Sequence, residues 1–123
     1  MRTIISLILL ITFMVGCDKK TIDLDNFDEV AWQQDKNGCN SVRINMVDAL
    51  EADKEKLKAL NQDEIMAILG KPDANELYKR GQNFLIYFIT PKNCGGDEPK
   101  EHKYLSIRFT AMGLAKEVLV YTE

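Results

Sequence analysis

The sequence predicts an α+β fold, with two or three N-terminal helices packed on one face of a three- to four-stranded antiparallel meander sheet. Three observations carry the prediction. Apolar residues recur at helical spacing between residues 27 and 69. Every later apolar run is strand-like and follows Pro72. Those runs are joined by turns too short for parallel crossovers. The 123 residues suit one domain, and an apolar content of 46% is that of a globular chain rather than a disordered one. With 16 Lys+Arg against 19 Asp+Glu the formal charge is −3, so no basic face for nucleic acid is expected. One His and three Cys exclude the common multi-His and four-Cys zinc sites, and no metal or cofactor is expected.

The first element is an address. Residues 3–17 carry no charge and follow Arg2. The run is shorter than the roughly 20 residues a spanning helix needs, and has the charged start, apolar middle and small exit residues of a secretory signal. It ends in Met14-Val15-Gly16-Cys17, then turns polar at Asp18-Lys19-Lys20. This resembles the lipobox of bacterial lipoproteins, which are cut before a Cys that carries diacylglycerol. Leu is usual where Met14 stands; Val15, Gly16 and Cys17 fit. The resemblance implies a signal peptide over 1–16, lipidation of Cys17, and a mature chain held at a membrane by acyl chains worth about 0.8 kcal/mol per buried methylene. Removing 1–16 removes only Arg2 among charged groups, so the surface becomes more acidic and the lipid must do the anchoring. Residues 17–26 read as lipidated Cys and tether, the polar part reaching about 30 Å when extended. A single domain over 27–123 follows.

With Cys17 lipidated, Cys39 and Cys94 remain as a pair in a compartment that permits oxidation. Both sit among turn residues, Asn37-Gly38-Cys39-Asn40 and Asn93-Cys94-Gly95-Gly96. A bridge between them would be worth roughly 4 kcal/mol in the chain-entropy account. A catalytic thiol would need a positioned base, and the single His102 lies between Glu101 and Lys103 in a charged loop.

Phe27, Val30 and Ala31, with Trp32 beside them, suggest a short helix or packed arm before a loop over 35–40. A longer helix is expected next, capped by Asn40 or Ser41, with Ile44, Val47, Leu50 and Leu57 on one stripe. Asn61 with Glu64 forms a capping-box pattern, and Leu60 with Ile65 a hydrophobic staple. Gly70 suits the end of that helix and Pro72 prevents its continuation, predicting a short helix over 62–69. Strands are expected around Leu77, then over 84–89, 104–109 and 117–121, with turns at 80–83 and 111–113 and a loop over 90–102.

The stretch Leu60-Asn61-Gln62-Asp63-Glu64-Ile65-Met66-Ala67-Ile68-Leu69-Gly70-Lys71-Pro72-Asp73, behind a lipobox and before an antiparallel sheet, resembles the small BamE/SmpA-like outer-membrane lipoproteins. There a similar capped helix ending in Leu-Gly-x-Pro precedes a three-stranded sheet. This chain departs in its fourth strand and its Cys39/Cys94 pair. Its Cys-Asp-Lys-Lys start is similar to lipoproteins of Bacteroidota. The resemblance implies a non-catalytic envelope lipoprotein, at the outer rather than the inner membrane, that binds an envelope protein partner in outer-membrane assembly or maintenance. Beta-lactamase-inhibitor-like domains share the general layout, so an inhibitor or ligand-binding lipoprotein acting on a periplasmic or secreted enzyme is the alternative. Neither a Ser/His/Asp grouping nor a phosphate loop is present, and Asp97-Glu98 with Glu101-His102 reads as a solvated loop.

Alternation assigns Phe84, Ile86, Phe88, Leu105, Ile107 and Phe109 to the core, with Val118 and Val120, beneath Val47, Leu50, Ile65, Ile68 and Leu69. The opposite face then carries Leu85, Tyr87, Ile89, Tyr104, Arg108, Leu119 and Tyr121. So apolar a wet surface marks a contact site, and Leu85, Tyr87, Tyr104, Arg108, Leu119 and Tyr121 are the candidate partner-binding residues. The competing expectation is that the segment around Phe27 and Trp32 folds back over this face and buries it.

Overall fold

A computed structural model describes residues 22–78 and 81–123. The expected signal peptide, Cys17 and the first part of the expected tether lie outside the described residues, as does part of the turn expected at 80–83. Helix α1 spans Glu29–Gln34, α2 Val47–Ala52 and α3 Gln62–Leu69. Strands β1 (Ala74–Tyr78), β2 (Gln82–Phe88), β3 (Lys103–Phe109) and β4 (Ala115–Thr122) follow as one antiparallel sheet in sequential order. The fold is therefore the expected α+β arrangement, helices first and a four-stranded meander after.

Helix α3 matches its local code. The Asn61 side chain accepts from the Glu64 N–H at 2.8 Å, and Glu64 Oε1 accepts from the Asn61 N–H at 3.2 Å, which together close the capping box. At its far end Gly70 takes φ +77°, and a Cβ there would lie 2.8 Å from Gln33 Cγ. That closeness serves a purpose: Gln33 Nε2 donates to the carbonyls of Ala67 and Ile68, satisfying the open end of α3 from α1.

The long helix expected from residue 41 onward is instead three pieces: a 3₁₀ turn over Arg43–Asn45, then α2, then another 3₁₀ turn over Lys54–Leu57. Its start is displaced because the buried Asp35 carboxylate takes the N–H groups of Asn40, Val42 and Arg43 at 2.6, 2.9 and 2.9 Å. A side-chain acceptor thus replaces the helix's own carbonyls, and Ser41 sits at φ +56° rather than in a cap conformation.

Arg43 itself points inward. It is 1% exposed, and its Nη1 meets Asp73 Oδ2 at 2.6 Å while Nε donates to the Trp32 carbonyl at 3.0 Å. Nη1 also donates to the Phe88 carbonyl at 3.1 Å. The guanidinium stands 5.2 Å from the Trp32 ring centroid and 5.9 Å from that of Tyr87. Asp73 completes the knot by accepting the N–H groups of Asn37 and Phe88. A buried ion pair persists only with further hydrogen bonds to its groups, and here Arg43 Nε and Nη1 and both Asp73 oxygens have them.

The core lies between the helices and one sheet face. It holds Trp32, Val47, Leu50, Leu57, Leu60, Ile65, Ile68 and Leu69 against Leu85, Tyr87, Ile89, Leu105, Ile107, Phe109 and Val118, with Val120 at its edge. This corrects the expected face of β2. Leu85, Tyr87 and Ile89 point to the helices, and Phe84, Ile86 and Phe88 point away. The registers Leu85↔Ile107↔Val118 and Tyr87↔Leu105↔Val120 put these residues with the β3 and β4 side chains that were assigned to the core correctly. Because β2 is apolar on both faces, its own alternation could not choose, and a slip of one residue inverts the choice.

The tether is also shorter than expected. Ile22 and Leu24 pack against the core, the Asp25 N–H donates to Asp53 Oδ2 at 2.8 Å, and Lys56 Nζ donates to the Asp23 carbonyl at 2.9 Å. Residues 22–26 are thus strapped to the turn after α2.

Cys39 and Cys94 form the expected disulfide, with Cα atoms 5.7 Å apart. Gly38 permits it: a Cβ at that position would stand 2.8 Å from the Ile89 carbonyl oxygen, so only glycine lets the turn close on the end of β2. The Lys92 N–H donates to the Asn37 carbonyl beside the bridge.

Candidate functional site

The face of the sheet turned away from the helices is ordered in three rows that run across the strands. Pairing sets Phe88, Tyr104 and Tyr121 side by side, then Ala74, Ile86, Ser106 and Leu119, then Glu76, Phe84, Arg108 and Glu117. The first row is aromatic. Phe88 meets Tyr104 edge-on at 5.6 Å between centroids, and Tyr104 stacks on Tyr121 at 5.2 Å. Lys92, from the loop held by the disulfide, covers one end: its Nζ is 5.2 Å and 4.9 Å from the Phe88 and Tyr104 centroids and donates to the Tyr104 hydroxyl at 2.7 Å. That bond, aided by Glu123 and Glu98, holds the ammonium above the usual lysine range.

In the middle row the small Ser106 stands between Ile86 and Leu119, and there the surface dips into an open groove of about 240 Å³. Its floor is Ile86 and Ser106, its walls Phe84, Leu119 and Tyr121, and its rim the carboxylates Glu76 and Glu117. Arg108 Nη2 lies 3.5 Å from Glu117 Oε2, so the cation of the third row is already engaged. Partial burial pushes the Tyr121 hydroxyl upward in pKa, and the charges of Glu123 and Glu76 add to it.

Of the candidate partner-binding residues, Tyr104, Arg108, Leu119 and Tyr121 stand on this open face, with Leu119 48% exposed. Leu85 and Tyr87 do not: they are 1% and 0% exposed on the helix side. Trp32 packs on Tyr87 with ring centroids 6.4 Å apart, and the Tyr87 hydroxyl donates to the Gly70 carbonyl at 2.8 Å. Phe27 packs on Trp32 in the same cluster, so this segment covers the helix-side residues and leaves the other face open.

Glu76, Ser106, Glu117, Phe84 and Ile86 were missed as groove residues. The assignment of β3 and β4 to their correct faces already contained Ser106 and Glu117, as the even-numbered neighbour of Tyr104 and the residue two before Leu119. His102 Nε2 lies 3.6 Å from Glu98 Oε2 in the covering loop, and neither lines the groove. Among the described residues no group of three His, Cys, Asp or Glu is placed to hold a metal ion, and no helix is long and apolar enough to cross a membrane. Compared with known protein families, with curated proteins and with solved structures, the chain finds no match in any of the three. The resemblance to the BamE/SmpA-like lipoproteins thus rests on its own residues, chiefly 60–73.

Proposed function

We propose that this chain is a lipid-anchored, non-catalytic protein of the bacterial envelope that acts by holding a protein partner on the open face of its sheet, in outer-membrane assembly or maintenance. The observation that carries the reading is the groove between an aromatic row and a charged row, on a face that no helix of the described chain covers. Tyr and Arg are enriched at interface hot spots, and both occur here. The lipobox ending in Cys17 supports the anchor. So does the strap: Ile22 and Leu24 pack on the helix-side core, so the chain enters the domain from that side and the open face looks away from it. Residues 18–21 extend to at most about 14 Å, which keeps the domain close to the lipid.

Two measurements test the reading. A Cys17→Ala variant should accumulate as uncleaved precursor or in the soluble fraction; membrane fractionation at processed mass would refute the anchor. Deleting the gene should sensitise cells to detergents and large antibiotics. An unaltered barrier would remove the envelope-support role and favour an inhibitor of a secreted enzyme.

A further inference from the structure

We infer that the groove receives a protein segment presenting a large apolar side chain next to a lysine or arginine. The inference rests on the proposed function and names the chemistry of its partner. Shape supplies the apolar half. The small Ser106 leaves a gap between Ile86 and Leu119, and the resulting groove of about 240 Å³ has room for one large side chain. Leu119, 48% exposed, is the wall with most apolar surface to lose on contact.

Charge supplies the other half. Glu76 and Glu117 form the rim, and Glu76 and Glu123 both act on the Tyr121 hydroxyl beside it. Among the described residues Arg108 is paired with Glu117, and Lys92 is held over the aromatic row by its bond to the Tyr104 hydroxyl. Among the described residues Glu76 has no ion-pair partner. An incoming cation would meet that carboxylate at the mouth of an apolar slot, where partial exclusion of water strengthens the attraction. An acidic segment or an anionic lipid headgroup would meet repulsion instead.

The test uses the full lipidated chain in phosphatidylcholine nanodiscs and three fluorescent peptides, read by anisotropy. The first is Gly-Lys-Phe-Lys-Leu-Lys-Gly, the second replaces its lysines by glutamates, and the third replaces Phe and Leu by serines. The first should bind about tenfold tighter than either of the others and weaken as salt is raised. Ser106→Leu, which fills the slot, and Glu76→Lys, which inverts the rim, should each abolish that preference. Oxidised Cys39–Cys94 and the emission of Trp32, the only tryptophan in the chain, report that the variants are folded. Should Ser106→Leu fail to fold, Glu76→Lys at the exposed rim decides alone. Equal binding of the basic and acidic peptides, blocked by Ser106→Leu, would overturn the inference and leave the proposed function standing. Absence of binding by all three peptides, or basic-peptide binding that neither variant alters, would overturn it as well. So would a preference for phosphatidylglycerol vesicles over the peptides. Failure of the proposed function is read separately, from Cys17→Ala fractionation and the barrier assay.

Discussion

The two faces of this sheet are built from similar residues and kept in different ways. On the helix side Leu85, Tyr87, Leu105, Ile107 and Phe109 are covered by three helices, and a buried polar knot of Asp35, Arg43 and Asp73 ties the loops between those helices to the end of β2. On the open side Ile86, Phe88 and Tyr104 are also nearly buried, among the described residues by one another, by their neighbours in the rows and by Lys92 and His102 of the loop. The first face is closed by chain that arrives from far away in sequence. The second is closed only by its own side chains and the edge of one loop, and where Ser106 is small it is left as a groove. Burial alone therefore does not separate core from contact surface; what covers a residue does.

The largest effect expected from breaking this contrast is at Arg43. Arg43→Ala leaves Asp73 buried without its cation and should cost about 3–5 kcal/mol in urea denaturation. A loss below about 1 kcal/mol would show that the knot does not hold the helix-side face. Leu105→Ala and Leu119→Ala then compare the faces directly. Leu105 is fully buried under the helices and its truncation should cost about 2–5 kcal/mol. Leu119, on the next strand and half exposed, should cost under about 1 kcal/mol while weakening partner binding. Equal costs would mean the open face is a second core.

Two tyrosines sharpen the same comparison by pH. Burial pushes the Tyr87 hydroxyl far above its ordinary value of 10.0, with Arg43 opposing and Asp73 reinforcing. Tyr121 is raised too, by partial burial and by Glu123 and Glu76. A raised pKa in the folded state means the stabilisation is complete below the unfolded value and is lost as pH climbs past it. Alkaline titration by ultraviolet difference absorption, with Tyr→Phe variants for assignment, should show Tyr121 ionising in the folded protein and Tyr87 only with unfolding. Simultaneous ionisation would refute the difference between the faces. The smallest effect concerns the strap. The Asp25 N–H holds the Asp53 carboxyl below its ordinary 3.8, so its contribution is present above that value and fades as pH falls through the lowered one. Amide exchange at Asp25 should quicken in that acid range, and Asp53→Asn should remove the pH dependence.

Much of the fold was legible because its signals are local. The capping box of α3, its stop at Gly70 and Pro72, the order of the strands and the turn residues around both cysteines each depend on side chains within a few positions. The faces of β3 and β4 were legible as well, since Ser106, Arg108 and Glu117 break their apolar alternation. The face of β2 was not, because six consecutive apolar residues from Phe84 to Ile89 satisfy either orientation. Two of the six candidate residues followed that choice: Leu85 and Tyr87 were placed on the wrong side, and Phe84 and Ile86 were left out of the groove.

What sequence alone determined is the class of fold, the capped helix and the disulfide pair, all of which need only spacing and residue type. Tertiary structure decided the orientation of β2, the break in the chain between residues 43 and 57, and the inward turn of Arg43. The orientation of β2 and the inward turn of Arg43 depend on partners 30 or more positions away, Asp73 and Phe88 for Arg43 and Trp32 for Tyr87, while the displaced helix start is set by Asp35 five to eight positions before the N–H groups it accepts. An alternating strand states its two faces only up to a shift of one residue. The free energy that selects one comes from what packs above it, and that is known only once the chain has folded back.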